Sequence, residues 1–103
     1  MSYQQISDLQ FPDPAQEVAS NTELRHAVVK ASAYVTFALE ESGTSHSRDL
    51  NSAMVAASTH NLSLDLTPDQ YIERAVQELA TAEGELPEGH WYRKELREVR
   101  QSL

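Results

Sequence analysis

Residues 22–41 constrain this chain more than any other stretch, because their apolar and small side chains run around most of a helix's circumference. At about 100° per residue, Leu24, Val28, Ala31, Val35, Ala38 and Leu39 fall on one side. Ala27, Val29, Ala33, Tyr34 and Phe37 widen that side well past an ordinary core-facing stripe. Arg25, Ser32, Thr36 and Glu40 leave only a narrow polar strip. A helix this apolar must be sheathed nearly all round. A chain of 103 residues offers few other elements to do that. The expectation is therefore that a second copy completes the cover, making a homodimer with Val29, Ala33, Tyr34 and Phe37 among its interface residues.

Length and composition fit one domain, residues 1–103, with 40% hydrophobic and 23% charged residues. Three Gly and four Pro argue against an all-β chain full of tight turns. No apolar run approaches the roughly 20 residues that span a bilayer, and residues 1–10 lack the charged and apolar regions of a signal peptide. The absence of Cys removes disulfides, thiolate metal sites and thiol nucleophiles, and a cytoplasmic location is expected. The net charge of −8 is unevenly spread. Residues 1–24 carry Asp8, Asp13, Glu17 and Glu23 without a base, and residues 65–88 are acidic apart from Arg74. Residues 89–103 reverse the sign with Arg93, Lys94, Arg97 and Arg100. Such an acid excess repels phosphate backbones and anionic lipid, so neither nucleic acid nor membrane is an expected partner.

Along the chain the pattern predicts an all-α bundle of four main helices with an N-terminal arm and a short N-terminal helix. Residues 1–12 read as an extended arm, since Pro12 and Pro14 disfavour helical geometry in the residues before them. Asp13 and Pro14 are expected to open a short helix over 14–20. Asn21 or Thr22 caps a long helix over 22–42, which Gly43 ends. Ser47 is expected to cap a helix over 48–60, whose seam of Leu50, Ala53, Met54 and Ala57 is thin enough for a neighbour's backbone to approach closely, and Asn61 closes it. Leu62, Leu64 and Leu66 alternate with polar residues but have no partner strand, so they read as an extended connector that buries leucines. Thr67-Pro68-Asp69-Gln70 is a capping box with Pro at the first helical position, opening a helix over 68–83 with Gly84 as its stop. A final helix over 90–102 carries the narrow seam Tyr92, Leu96, Val99 and Leu103.

Few constellations carry chemistry. Glu23 and His26 have the Glu-x-x-His spacing of carboxylate-bridged metal sites, but His26 points away from the apolar face and a complete site needs further ligands. The other histidines, His46, His60 and His90, show no metal-ligand spacing. Gly-x-Ser-x-Gly and glycine-rich phosphate loops are absent. No catalytic residue, cofactor or metal is assigned, and the chain is read as a non-enzyme. The last helix is more telling. Its basic side can lie against the acidic 65–88 region, within one chain or across two. Trp91, beside the seam, covers the edge of the core or anchors a protein contact, where Trp, Tyr and Arg are enriched. Trp91, Tyr92, Arg93 and Arg97 therefore join the candidate interface residues.

The leading expectation is a small acidic helical protein that works by protein–protein interaction, in a regulatory or adaptor-like role, as a homodimer or with another protein. The alternative is an acidic inhibitor or decoy docking on a basic partner protein. A small metal-binding helical protein ranks below both.

Overall fold

Four long helices and two single-turn ones form the regular structure of the computed structural model, which describes residues 2–103. They are α1 (Tyr3–Ile6), α2 (Gln16–Ala19), α3 (Thr22–Ser42), α4 (Leu50–His60), α5 (Pro68–Gly84) and α6 (Trp91–Ser102). No strand occurs among the described residues, so the fold is all-α as the pattern requires. The radius of gyration, 12.9 Å, matches the roughly 13 Å of one compact body of this length. No helix among the described residues is long and apolar enough to cross a membrane.

The helix ends follow local chemistry. The Asn21 side chain accepts from the Leu24 N–H at 3.0 Å, satisfying one of the unpaired donors at the start of α3. At the other end Gly43 takes the left-handed conformation (φ 74°), with its N–H on the Glu40 carbonyl and the Thr44 N–H on the Leu39 carbonyl. Asn61 ends α4 in the same left-handed region (φ 53°). The capping box at Thr67 and Gln70 is present in both directions.

Other ends depart from the sequence reading. The arm is not extended throughout: Ser2 and Gln5 make a capping box around the single turn of α1. Its first residue lies outside the described residues. Asp13 and Pro14 do not open α2, which starts at Gln16 after Ala15 with no side-chain cap. Asp49, not Ser47, caps α4 by accepting from the Asn51 N–H. Gly84 is still helical, and α5 ends at Glu85 in right-handed geometry. The connector buries Leu62 and Leu66 partly and leaves Leu64 exposed.

The apolar girth of α3 is met within the chain. α3 contacts α5 most extensively, then α4, and also α1 and α2, while α6 packs on α5. Leu24, Ala31, Val35, Ala38 and Leu39 are fully buried, and Ala27, Ala33, Tyr34 and Phe37 nearly so. The rings of Tyr34 and Phe37 lie 6.2 and 5.6 Å from that of Tyr71 on α5, within the range of favourable aromatic pairing. The α4 seam is alanine (Ala53, Ala56 and Ala57), which lets α4 sit closely on α3. The premise that a lone chain cannot cover α3 is thus corrected for every apolar position but Val29, which is left exposed. α1, which the pattern does not show, and α2, which it expects over 14–20, add to the cover that α5 and α4 provide.

The charge reversal near the C-terminus is also resolved inside one chain. Glu83 is buried on α5, and Arg100 reaches its two carboxylate oxygens at 2.5 and 3.3 Å, with Arg97 at 3.6 Å. Arg93 donates to the Leu86 carbonyl at 2.7 Å and pairs with Glu88 at 3.1 Å. The Glu83 hydrogen bond holds the Arg100 guanidinium in its charged form more firmly than usual. Two-point guanidinium–carboxylate contact fixes orientation as well as distance, so this clamp sets how α6 lies on α5. Beyond it, Tyr92 is fully buried and donates to the Pro12 carbonyl at 2.9 Å, and burial pushes its phenol up to about 12.

Glu83→Ala removes the shared acceptor of this clamp. It is expected to lower the unfolding free energy by about 2 kcal/mol in urea denaturation. The exposed control Glu85→Ala is expected to stay within about 0.5 kcal/mol of the parent.

Candidate functional site

The structure sorts the sequence-derived interface residues into three groups. Ala33, Tyr34, Phe37 and Tyr92 belong to the chain's own core and offer no surface to a partner. Arg93 and Arg97 are engaged by Glu88 and Glu83 of the same chain. Val29 and Trp91 remain exposed, each at 45%. Trp91 is a lateral tie: its indole N–H donates to Glu17 on α2, and its ring lies against His90 and Tyr92.

The larger unpartnered surface is one the sequence pattern had assigned partly to the core. Seam positions Leu50 and Met54 of α4 are exposed, and Val55 beside them is 66% exposed. Three alanines suffice to seat α4 on α3, so the helix needs no larger residue inside. From Leu50 to Thr59 no side chain ionises, although the chain as a whole carries a net charge of −8. The outer side of α4 is therefore an uncharged surface of Leu50, Asn51, Met54, Val55 and Ser58 on an otherwise acidic molecule.

Between the arm, α3 and the start of α4 lies a cleft of about 530 Å³. Arg48 sits in it, half-buried, and makes three hydrogen bonds. Nε donates to Thr36 Oγ1 at 3.0 Å, Nη1 to the Leu9 carbonyl at 3.1 Å and Nη2 to Ser32 Oγ at 2.5 Å. Its guanidinium lies 5.1 Å from the centre of the Phe11 ring, a cation–π distance. Every one of these partners is neutral, and no carboxylate pairs with Arg48 among the described residues. Burial lowers the stability of its charged form. The sequence pattern places Arg48 at the start of the helix expected over 48–60, whereas α4 begins at Leu50, so Arg48 lies before the helix and its direction is set by the arm and α3.

The histidines, dispersed in sequence, are partly gathered in space. His26 on α3 and His60 at the end of α4 have ring centres 4.7 Å apart. Lys30 pairs with Glu78 at 3.0 Å, and both act on His60. Burial, then the neighbouring His26 and Lys30, lower the His60 pKa below the usual 6.5, with Glu78 working the other way. Glu23 does not complete a metal site here: no three His, Asp or Glu side chains gather to hold a metal ion among the described residues. His46 instead meets Glu40 at 2.8 Å, and His90 caps α6 by accepting from the Tyr92 N–H.

Comparison with known proteins returns no match: no family model, no curated protein and no solved structure corresponds to this chain.

The histidine pair sets an acid limit on stability. Unfolded His60 takes up a proton near pH 6.5 and the folded side chain only at lower pH, so its contribution is complete above that value and lost as pH falls through the folded pKa. Thermal melts from about pH 8 to 5 are expected to show a decline on the acid side that His60→Gln makes shallower. Identical profiles for the two proteins would remove His60 as its source.

Proposed function

We propose that this chain acts by protein–protein interaction through the outer side of α4, and that its first partner is a second copy of itself. The observation that carries the reading is the uncharged, apolar-studded α4 surface, with Leu50, Met54 and Val55 exposed. Two molecules of net charge −8 repel each other over most approaches. An interface built on α4 brings no ionised side chains of that helix together. A two-fold arrangement would set each α4 against its counterpart, with the same patch on both sides.

The scale of the contact fixes the expected strength. An eleven-residue helix is roughly 16 Å long, so its outer face offers an area at the low end for specific association. Micromolar, reversible self-association follows, as suits a regulatory or adaptor-like protein. In this reading the protein works in the cytoplasm, without a cofactor and without covalent chemistry. The acidic-decoy alternative draws less support. Glu78, Glu83 and Glu88 are already engaged by Lys30, Arg100 and Arg93, which leaves a weaker free acidic field for a basic partner.

Sedimentation is expected to give dimer mass in the upper micromolar range and monomer on dilution. The double variant Met54→Glu with Val55→Glu places like charges across the two-fold contact. It is expected to be monomeric at every concentration while keeping the parent melting temperature, since both side chains are exposed. Monomer mass for the parent protein across that range contradicts the reading.

A further inference from the structure

We propose that the cleft under the N-terminal arm binds a small monocarboxylate with an apolar body, its acid end held by Arg48. This site is separate from the α4 surface: Leu50, Met54 and Val55 do not line it.

The anchor is a cation with no carboxylate in ion-pair contact among the described residues. A guanidinium has five N–H donors. In Arg48 three are used, on Thr36 Oγ1, the Leu9 carbonyl and Ser32 Oγ, and two have no partner among the described residues. Ser32 Oγ accepts from Arg48 and donates to nothing among the described residues, so its proton is also free. Thr36 Oγ1 is already committed, donating to the Ser32 carbonyl at 2.9 Å. The three engaged donors hold the guanidinium in place against α3 and the arm, so a ligand meets a group that has lost its side-chain freedom beforehand. Two N–H groups and one O–H beside a fixed positive charge are what a carboxylate accepts from.

The walls define the rest of the ligand. Leu9, Phe11, Val29, Ala33, Ala53 and Ala56 give the cleft an apolar lining, and about 530 Å³ lies within the usual range for small-molecule sites, roughly 300–1,000 Å³. Phe11, already under the guanidinium, supplies a face for an aryl or alkyl chain next to the acid. Asp8 and Asp49 also line the cleft. The Asp49 carboxylate is occupied by the Asn51 N–H and the Ser52 hydroxyl, whereas Asp8 has no side-chain partner among the described residues. With Arg48 as the cleft's one cation and two aspartates in its lining, each further negative charge on a ligand is disfavoured, so a single carboxylate is tolerated better than a phosphate or a dicarboxylate.

The test uses the full chain and a matched pair of probes, 3-phenylpropionate and 3-phenylpropanamide, which differ in charge at one end. In amide NMR titrations at neutral pH the acid is expected to shift Phe11, Ser32 and Ala53 saturably, with a dissociation constant of about 1 mM or below. The neutral amide is expected to bind at least about tenfold more weakly. Arg48→Gln should bring the acid down to the level of the amide. Because Arg48 also ties the arm to α3, Asp8→Ala serves as a second variant outside those hydrogen bonds, expected to tighten the acid and leave the amide unchanged. Absence of saturable shifts with the acid overturns the proposal. So does equal binding of acid and amide, or shifts confined to the outer side of α4.

Discussion

Burying an apolar helix on nearly all sides requires covering surface from several directions at once, and in this chain the elements that provide it are small. α5 covers one flank of α3 with Tyr71, Ala75 and Leu79, and α4 covers another with alanine alone. α1 and α2, four residues each, close what is left with Ile6 and Val18. Short helices have little stability of their own. These two hold because their apolar residues are inserted into a core that α3 has already defined, and because side chains from elsewhere pin the segments around them. Tyr3 bonds to Asp69, Trp91 to Glu17, Tyr92 to the Pro12 carbonyl and Arg48 to the Leu9 carbonyl.

That arrangement explains where polarity is placed. Polar groups drawn inward serve as ties between elements. Glu83 joins α5 to α6 through two arginines, and Arg48 joins the arm to α3 through a carbonyl and two hydroxyls. Removing a carboxylate from water is costly without a partner, and Glu83 has its partner in Arg100. Arg48 differs, since its hydrogen-bond acceptors are all neutral, and the proposed carboxylate site rests on that difference. α4 contributes little to either network. Its alanine seam spends no large side chain on the core, so Leu50, Met54 and Val55 are left outward, on a long helix whose outer side carries no charge.

The pattern of apolar residues revealed the long helices, most of their caps and the seam of α6, because those depend on residues three or four apart, but only half of the α4 seam, since Leu50 and Met54 face outward. Asn21, Gly43, Asn61 and the Thr67–Gln70 box act over the same short range, and each appears where its chemistry places it. What escaped the sequence depends on long separations. The turn at Tyr3–Ile6 is stabilised by contact with α3 as well as by Ser2 and Gln5, so the arm's prolines were a poor guide to it. The meeting of Glu83 with Arg97 and Arg100, of His26 with His60, and of Arg48 with Ser32 and Thr36 all require helices to be set side by side. The apolar girth of α3 was read correctly, but whether that cover came from this chain or another is a matter of tertiary placement, which periodicity does not encode.

The central claim is that α3 is enclosed by its own chain, leaving the outer side of α4 as the surface for a partner. Amide hydrogen exchange measured across a dilution series addresses both halves together. The account predicts that Ala31 to Leu39 exchange slowest and equally slowly at every protein concentration, while protection along α4 decreases as the protein is diluted. Loss of protection in α3 on dilution would contradict it, because the cover of that helix would then come from a second molecule.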